Sequence, residues 1–369
     1  MNILQELCAI PTAPFAEDRV MAYVERFARE RRGLRLSRDR WGNRLLELRG
    51  SSHRTARLPR LVLVAHADHP GFVARRMIKP DALQADFRGG VLAAFVRGAT
   101  VRFFDAERSI LGVVTKTEQR AKSTVPHRAT VRVKAPVSPG SIGTFDLPPA
   151  RVRGNKFFSR ACDDLAGLAA AMTALDELHR AKTRPRATVA LLVTRAEEVG
   201  FVGAVAAVRD GSLLRKSDLV ISIECSSVQP VAPQGAGVIL RVGDRTSVFD
   251  SGLMYFLLER ARKLAKRDKT FAFQRALMPG GSCEGTVFDA WGYTTGGVCL
   301  PLVNYHNMDR ATKRIAPEVI DLRDWRSMVK LFIDLARHAH AFDPALLRGR
   351  IERRVRRSAR LLKPLARDS

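Results

Sequence analysis

Cysteine is scarce in this chain. There are five in 369 residues, an odd number, and none stands in a C-x-x-C pair. Cys8, Cys162, Cys225, Cys283 and Cys299 therefore give neither a disulfide framework nor a thiolate zinc knuckle. Cys162 and Cys225 read as buried apolar filling. Aromatic residues are also few, at 7%. No apolar run approaches the roughly 20 residues of a membrane-spanning helix. The N-terminus, MNILQELCAIPTAPFAEDRV, has an early Glu6 and lacks the basic-then-apolar layout of a signal peptide, so a cytoplasmic location is expected. A G-x-x-x-x-G-K-[ST] phosphate loop and an H-E-x-x-H helix are both missing, and GGSCEG only approaches the G-x-S-x-G elbow. Nothing in the sequence places a base beside Cys283.

Acidic residues are outnumbered, 37 against 63 basic ones, for a formal charge of +26. Arginine is spread along the whole chain, whereas a nucleic-acid binder usually concentrates it on one element. The densest run is LLRGRIERRVRRSARLLKPLARDS, residues 346–369. It reads as a solvated basic helix or tail, or as a site for nucleic acid, anionic lipid or another acidic partner. No aromatics interleave it, which removes the stacking platform that single-strand binding uses.

What is present is a hydrophobic content of 46% and length enough for two domains or one large one. Residues 3–32 carry apolar side chains at helical spacing. Arg60–Ala67, Thr188–Thr194 and Asp218–Ile223 are continuous apolar runs of the fully buried strand type. Leu165–Arg180 and Val202–Arg209 are helical stretches between them. The alternation predicts an α/β layer with a largely parallel sheet. Residues from about 75 to 155 differ. Val91–Phe95, Thr100–Phe104, Ile110–Thr115 and Thr130–Val133 are short β-rich runs separated by turns, which predicts a small antiparallel β domain, a barrel, inserted into the α/β domain.

Against this shortage of acid, the positions of certain carboxylates and histidines are informative. His66 and Asp68 lie in LVLVAHADHPG, Asp163 and Asp164 in SRACDDLAG, Glu197 and Glu198 in LLVTRAEEVG, Glu224 in LVISIECSS, and His306 in LVNYHNMD. Most fall at the carboxyl end of a predicted strand, where open α/β sheets place ligands. Residues two apart on a strand share a face, so His66 can bind a metal while Asp68 orients a neighbouring group. Asp163 suits a carboxylate bridging two metals, with Asp164 capping the helix that follows. Adjacent Glu197 and Glu198 repel unless a cation or shared proton relieves them, so one suits a metal and the other a proton. Glu224 closes an apolar strand, which is costly unless it is paired or ligated. Each motif alone also fits a local hydrogen-bonding role. Together they supply the nitrogen and oxygen donors of a two-metal site, plus a spare carboxylate as base.

The order H-x-D, D-D, E-E, D/E, H resembles that of the co-catalytic zinc peptidases. The inserted β domain narrows the resemblance to the M42 family of glutamyl, leucyl and tetrahedral aminopeptidases. The related M20 and M28 families have a shorter gap than His66 to Asp163. The segment PGSIGTFDLPPARVRGNKFFSRACDD is similar to the M42 exit from the β domain, and the likeness runs from about residue 3 to about 340. It implies an α/β/α sandwich with a mixed, mostly parallel central sheet and an inserted small β-barrel. The catalytic domain would comprise residues 1–74 and 156–345, the barrel 75–155, and the basic helix or tail 346–369. It implies one metal on His66, Asp163 and Glu224, a second on Asp163, Glu198 and His306, Glu197 as general base, and Asp68 supporting His66. The metals would be zinc, or else cobalt or manganese, and the substrates short peptides with a free N-terminus. Family members form large shells, so a homo-oligomer is expected.

Departures from the family pattern cluster around the site. His69 stands where an acid is frequent, Leu165 replaces a frequent arginine, Gly280-Gly281-Ser282-Cys283-Glu284 occupies the place of a late G-x-D signature, and Val303-Asn304 replaces an arginine-tyrosine pair. These bear on substrate choice. Two other functions are compatible with the chain: an M20-type deacylase or amidase, and a basic protein that binds nucleic acid or an acidic surface on a retained peptidase fold.

Overall fold

The computed structural model describes residues 2–52, 58–106, 108–356 and 358–362. Residues 363–369 of the basic run lie outside the described residues.

The apolar runs form the middle of an eight-stranded sheet. Its order is Leu34–Arg38, Arg44–Leu48, Val189–Thr194, Leu61–His66, Leu219–Ser227, Thr294–Leu302, Val238–Arg241, Phe273–Ala276. The four strands from Val189–Thr194 to Thr294–Leu302 are mutually parallel. The direction reverses on both sides of this block. Leu61–His66 and Val189–Thr194 are buried at every position, so both of their faces need cover. Leu61, Leu63, Ala65, Leu191 and Ile221 join one core with Leu7, Val24, Leu168, Leu257 and Phe332 from the helices Asn2–Ala9, Asp18–Arg29, Leu165–Arg180, Ser251–Arg267 and Leu322–His338. The intervening Val62, Val64, Leu192 and Val220 join a second core with Ala204, Ala207 and Phe288 from Val202–Asp210 and Glu284–Ala290. The period-two alternation thus feeds two layers at once. Each fully buried Leu or Val in them contributes about 1.5–3 kcal/mol. The result is an α/β/α sandwich.

Six antiparallel strands close a barrel in the order Gly71–Lys79, Ala82–Arg88, Pro126–Val133, Arg108–Gln119, Thr100–Asp105, Ile142–Phe145. Phe72, Phe87, Phe103, Phe145, Val101 and Val131 fill it, with the Phe72 ring edge-on to Phe87 and Phe145. One run expected to be a strand is not. Val91–Phe95 leads into a short helix, Ala93–Val96, and its flanking Val91 and Val96 both enter the barrel core. A short apolar run does not distinguish the two states, and the adjacent alanines favour the helix.

The expected helical region at 3–32 is divided. Pro11 and Pro14 interrupt it, leaving Asn2–Ala9 and Asp18–Arg29. Near the other end, Leu346–Val355 is a helix with no buried residue. Arg350 ties it to the helix Ser251–Arg267 through Tyr255 and Glu259, at 2.6 and 2.7 Å. Among the described residues no helix is long and apolar enough to cross a membrane.

Candidate metal centre

Four neighbouring parallel strands deliver the singled-out residues to one edge of the sheet. Val189–Thr194 runs into Glu197 and Glu198, Leu61–His66 ends on its histidine, Leu219–Ser227 carries Glu224, and Thr294–Leu302 leads to His306. Asp163 arrives from the start of the helix Leu165–Arg180, and the Asp163–Asp164 peptide bond is cis. His66, Glu197 and Glu224 form one group of converging donor atoms; Asp163, Glu198 and His306 form a second. Asp163 faces both histidines. Its Oδ1 lies 3.7 Å from His66 Nε2 and its Oδ2 lies 3.7 Å from His306 Nε2. Glu198 Oε2 is 3.1 Å from His306 Nε2, and Glu197 Oε2 is 3.9 Å from His66 Nε2.

The ligand loops are held by buried carboxylates that bond to backbone. Asp68 accepts the N–H of Glu197 with one oxygen and of Glu198 with the other, each at 3.0 Å, and its Oδ1 also lies 3.5 Å from His66 Nδ1. The segment it grips is strained: Ala196 and Phe201 are non-glycine residues at φ of 52° and 59°. Each such residue costs on the order of 1–2 kcal/mol. Glu17 takes part in the restraint, accepting the Ala196 N–H at 3.0 Å and the Arg195 Nε–H at 2.8 Å. Asn304, His306 and Asn307 also sit at positive φ. There Glu318 does the holding: Oε1 accepts the His306 N–H at 2.8 Å, and Oε2 accepts those of Cys162 and Asp163 at 2.6 and 3.1 Å.

Asp164 occupies the N-cap position of its helix but makes no capping bond, which corrects the capping role expected for it. Its carboxylate instead receives a weak contact from Cys225 Sγ at 3.6 Å. Gly167 leaves it room, because an added methyl group there would overlap the Asp164 carboxylate. Cys162 and Cys225 are buried, as their apolar reading implied.

So many buried acids perturb one another. Burial, together with Glu224, Glu198 and Glu284, pushes the Glu197 carboxyl well above the usual range, although His66 opposes this. Burial and Asp163 raise Glu224 to about 8. Burial also acts on Asp163, but His66, His306 and His69 outweigh it and hold that carboxyl low. For His306 burial disfavours the charged ring, yet Glu198 and Asp163 raise it to about 9. A cluster in this state favours a cation.

The unpartnered atoms point the same way. Among the described residues His66 Nε2, His306 Nε2, Glu198 Oε1 and Glu224 Oε1 are buried without a hydrogen-bond partner. Orphaned buried donors and acceptors are costly, and these are the atoms a metal would use. Imidazole nitrogen with carboxylate oxygen is a fitting donor set for a divalent transition metal.

Several residues here escaped the sequence reading. Glu318 opens a buried strand, Glu318–Asp321. Glu284, named only within the Gly280–Glu284 departure, is buried, accepts from Thr194 Oγ1 at 2.9 Å, and has a carboxyl raised by burial to about 7. Arg241 closes the buried run VILR, the same signal that drew notice to Glu224. His69, noted only as a departure, places Nδ1 2.7 Å from the Asp163 carbonyl oxygen and Nε2 3.1 Å from Asn307 Oδ1.

A buried cluster of nitrogen and carboxylate donors at the carboxyl edge of a mixed sheet, with a closed barrel inserted after the first histidine, defines a metallohydrolase of the peptidase type. The M42 glutamyl aminopeptidase family model matches residues 47–331, and the chain belongs to this family of metal-dependent aminopeptidases. No curated protein sequence matches it. Among solved structures, the TET aminopeptidase of the marine sediment archaeon Thaumarchaeota archaeon SCGC AB-539-E09 superposes with a TM-score of 0.76 at 18% identity, covering 93% of this chain and 99% of that one. The aminopeptidase APDkam598 of Desulfurococcus kamchatkensis gives 0.75 at 20%, covering 91% and 94%. The TET1 peptidase of Pyrococcus horikoshii, which assembles into a tetrahedron or a large octahedral shell, gives 0.71 at 20%, covering 91% and 98%.

Proposed function

We propose that this chain is a dinuclear aminopeptidase that removes the first residue of short peptides. His66, Asp163 and Glu224 would hold one metal, and Asp163, Glu198 and His306 the other. The observation that carries the reading is the pair of buried histidine Nε2 atoms, each facing one oxygen of Asp163. Zinc suits these donors best, with cobalt or manganese as alternatives. Bound there, two divalent ions polarise a peptide carbonyl and acidify water.

Glu197 is the general base. Its carboxyl is raised by burial and by neighbouring acids, which suits a group that takes a proton from the attacking water and passes it to the departing amine. Such help is worth ~10²–10⁴-fold. Asp68 positions both glutamates and the His66 ring rather than touching substrate.

A cavity of about 370 Å³ adjoins Glu224 and is lined by Arg241, Ser226, Gly281, Asn304 and Tyr305 among others. Arg241 is 3% exposed, its Nε lacks a hydrogen-bond partner among the described residues, and its other nitrogens bond to neutral groups, Ser226 Oγ at 3.0 Å and the Gly281 carbonyl oxygen at 3.4 Å, with Glu224 and Asp244 acting on it only through space. A buried guanidinium left without a carboxylate partner suits an acidic first side chain, in keeping with the glutamyl aminopeptidases for which the family is described. Assembly into a homo-oligomer is part of the same reading, by analogy with the Pyrococcus horikoshii shell.

The test is Glu197→Gln protein: it should keep its metal and lose hydrolysis of peptides with a free N-terminus. Full hydrolysis by this variant would remove Glu197 from the base role. Turnover by the unaltered enzyme of N-acylated substrates alone would favour the M20-type deacylase instead.

A further inference from the structure

A second cavity, of about 670 Å³, reaches the same centre from the side of Glu198. Its inner end holds Glu198 and Gly90, and the Gly90 carbonyl oxygen lies 3.2 Å from His306 Nδ1. It runs outward against the barrel, where Arg75, Arg88, Arg120, His127 and Arg128 line it, with Phe15 and Val199 among its other lining residues. An aminopeptidase cleaves after one residue, so one side of its centre holds a single side chain and the other holds the rest of the peptide. The smaller cavity beside Glu224 matches the first need and this larger groove the second.

The charge in the groove is unbalanced. Among the described residues the one acid lining it, apart from Glu198, is Asp86. That single carboxylate lies 3.3 Å from Arg75, 3.7 Å from Arg88 and 3.9 Å from Arg128. Glu118 is a further neighbour of Arg128, at 3.7 Å. The shortest bond of Arg88 goes to a neutral group, the Pro14 carbonyl oxygen, at 2.7 Å. Among the described residues Arg128 Nε, beyond its 3.9 Å approach to Asp86, and His127 Nδ1 are buried without a hydrogen-bond partner. Among the described residues three guanidinium groups therefore share two carboxylates, and Arg120 adds a fourth cation to the lining that pairs with neither.

We propose that this groove is a subsite for negative charge beyond the scissile bond: the free terminal carboxylate of a di- or tripeptide, or an acidic second or third residue. The assignment rests on the aminopeptidase reading above, and it adds a selection that the first-residue cavity does not make. Guanidinium forks match carboxylates in pairs. An extended peptide advances ~3.3–3.6 Å per residue, so in di- and tripeptides the terminal carboxylate stays close to the metal-side end of the groove. Longer neutral peptides carry that charge farther along.

Binding can be measured without turnover, by calorimetry on metal-loaded Glu197→Gln protein. The probes are Ala-Ala-Ala, its C-terminal amide, Ala-Glu-Ala-amide and Glu-Ala-Ala-amide. The free acid and Ala-Glu-Ala-amide should each bind about tenfold or more tightly than Ala-Ala-Ala-amide, the scale of one charged hydrogen bond. Added Arg88→Gln and Arg128→Gln changes, and separately Arg75→Gln with Arg120→Gln, should shrink that preference. Rising salt should shrink it too. Equal binding of acid and amide, a preference that survives both pairs of changes, or one confined to Glu-Ala-Ala-amide would overturn the assignment. Turnover of Ala-Ala-Ala-amide and of Glu-Ala-Ala-amide by the unaltered enzyme tests the aminopeptidase reading separately, and only failure on both counts against it. Hydrolysis without a charge preference discards only the groove, and a charge preference without hydrolysis discards only the activity.

Discussion

Glu318 Oε1 accepts the backbone N–H of His306 at 2.8 Å, while Oε2 of the same carboxylate accepts the N–H of Asp163. One buried acid thus sets the spacing between a histidine and an aspartate that lie 143 positions apart in the sequence. Glutamine at this position would turn an NH₂ group toward at least one of these donors. Glu318→Gln should lower stability by about 1–3 kcal/mol and weaken metal affinity by about 10–100-fold. Denaturant melts and metal competition measure the two effects. Unchanged affinity in a folded variant would show that Glu318 is only structural.

Metal content should govern both activity and stability. The buried carboxylates of Asp163, Glu197, Glu198 and Glu224 repel one another until a cation is shared among them. A chelator should abolish peptide hydrolysis, and zinc, cobalt or manganese should restore it. Loading at a hundred times Kd should add ~2.7 kcal/mol to folding, seen as a higher Tm. Activity that survives complete demetallation, checked by elemental analysis, counts against the whole functional reading.

Arg241 should separate first residues by charge. Arg241→Met keeps much of the volume and removes the cation. We expect kcat/KM on peptides beginning with glutamate to fall by about 10–100-fold, with much less change for those beginning with alanine. Equal losses on both would mean that Arg241 supports Glu224 instead of reading the substrate.

Acid should reach a second, remote site. Asp321 caps the helix Leu322–His338 through the Arg323 N–H at 2.9 Å and pairs with the Arg323 and Lys156 side chains. Burial pulls its carboxyl upward, but these bonds prevail and lower it to about 2. The folded value lies below the unfolded one, ~3.9. The contribution is therefore complete above about pH 4 and is lost as pH falls toward 2. Asp321→Ala should cost ~1–2 kcal/mol at pH 7, and the gap from the unaltered protein should narrow across that acid window. A gap that stays constant from pH 7 to pH 2 would be evidence that the cap works without its charge.

Certain features were readable because they depend on short-range pattern. LVLVAHA and ATVALLVT announce buried strands by apolar continuity, and His66, Glu197, Glu198 and Glu224 stand out because a buried strand has no other use for charge at its end. The inserted barrel is legible from its short β-rich runs. The short run at Val91–Phe95 was not, because its helical turn is chosen by the fit of Val91 and Val96 into the barrel.

The strand ends and the donor set they carry follow from the order of residues alone, because hydrophobic periodicity and the cost of burying charge act locally. Pairing across the sheet is a different matter. Tertiary structure alone brought both oxygens of Asp163 to face two histidines, put Glu318 and Asp68 beneath the loops they restrain, and left Arg241 and the barrel arginines facing cavities beside the centre. Each of those roles is a contact between segments tens to hundreds of residues apart, and no short-range pattern records which distant N–H or carboxylate a side chain will meet.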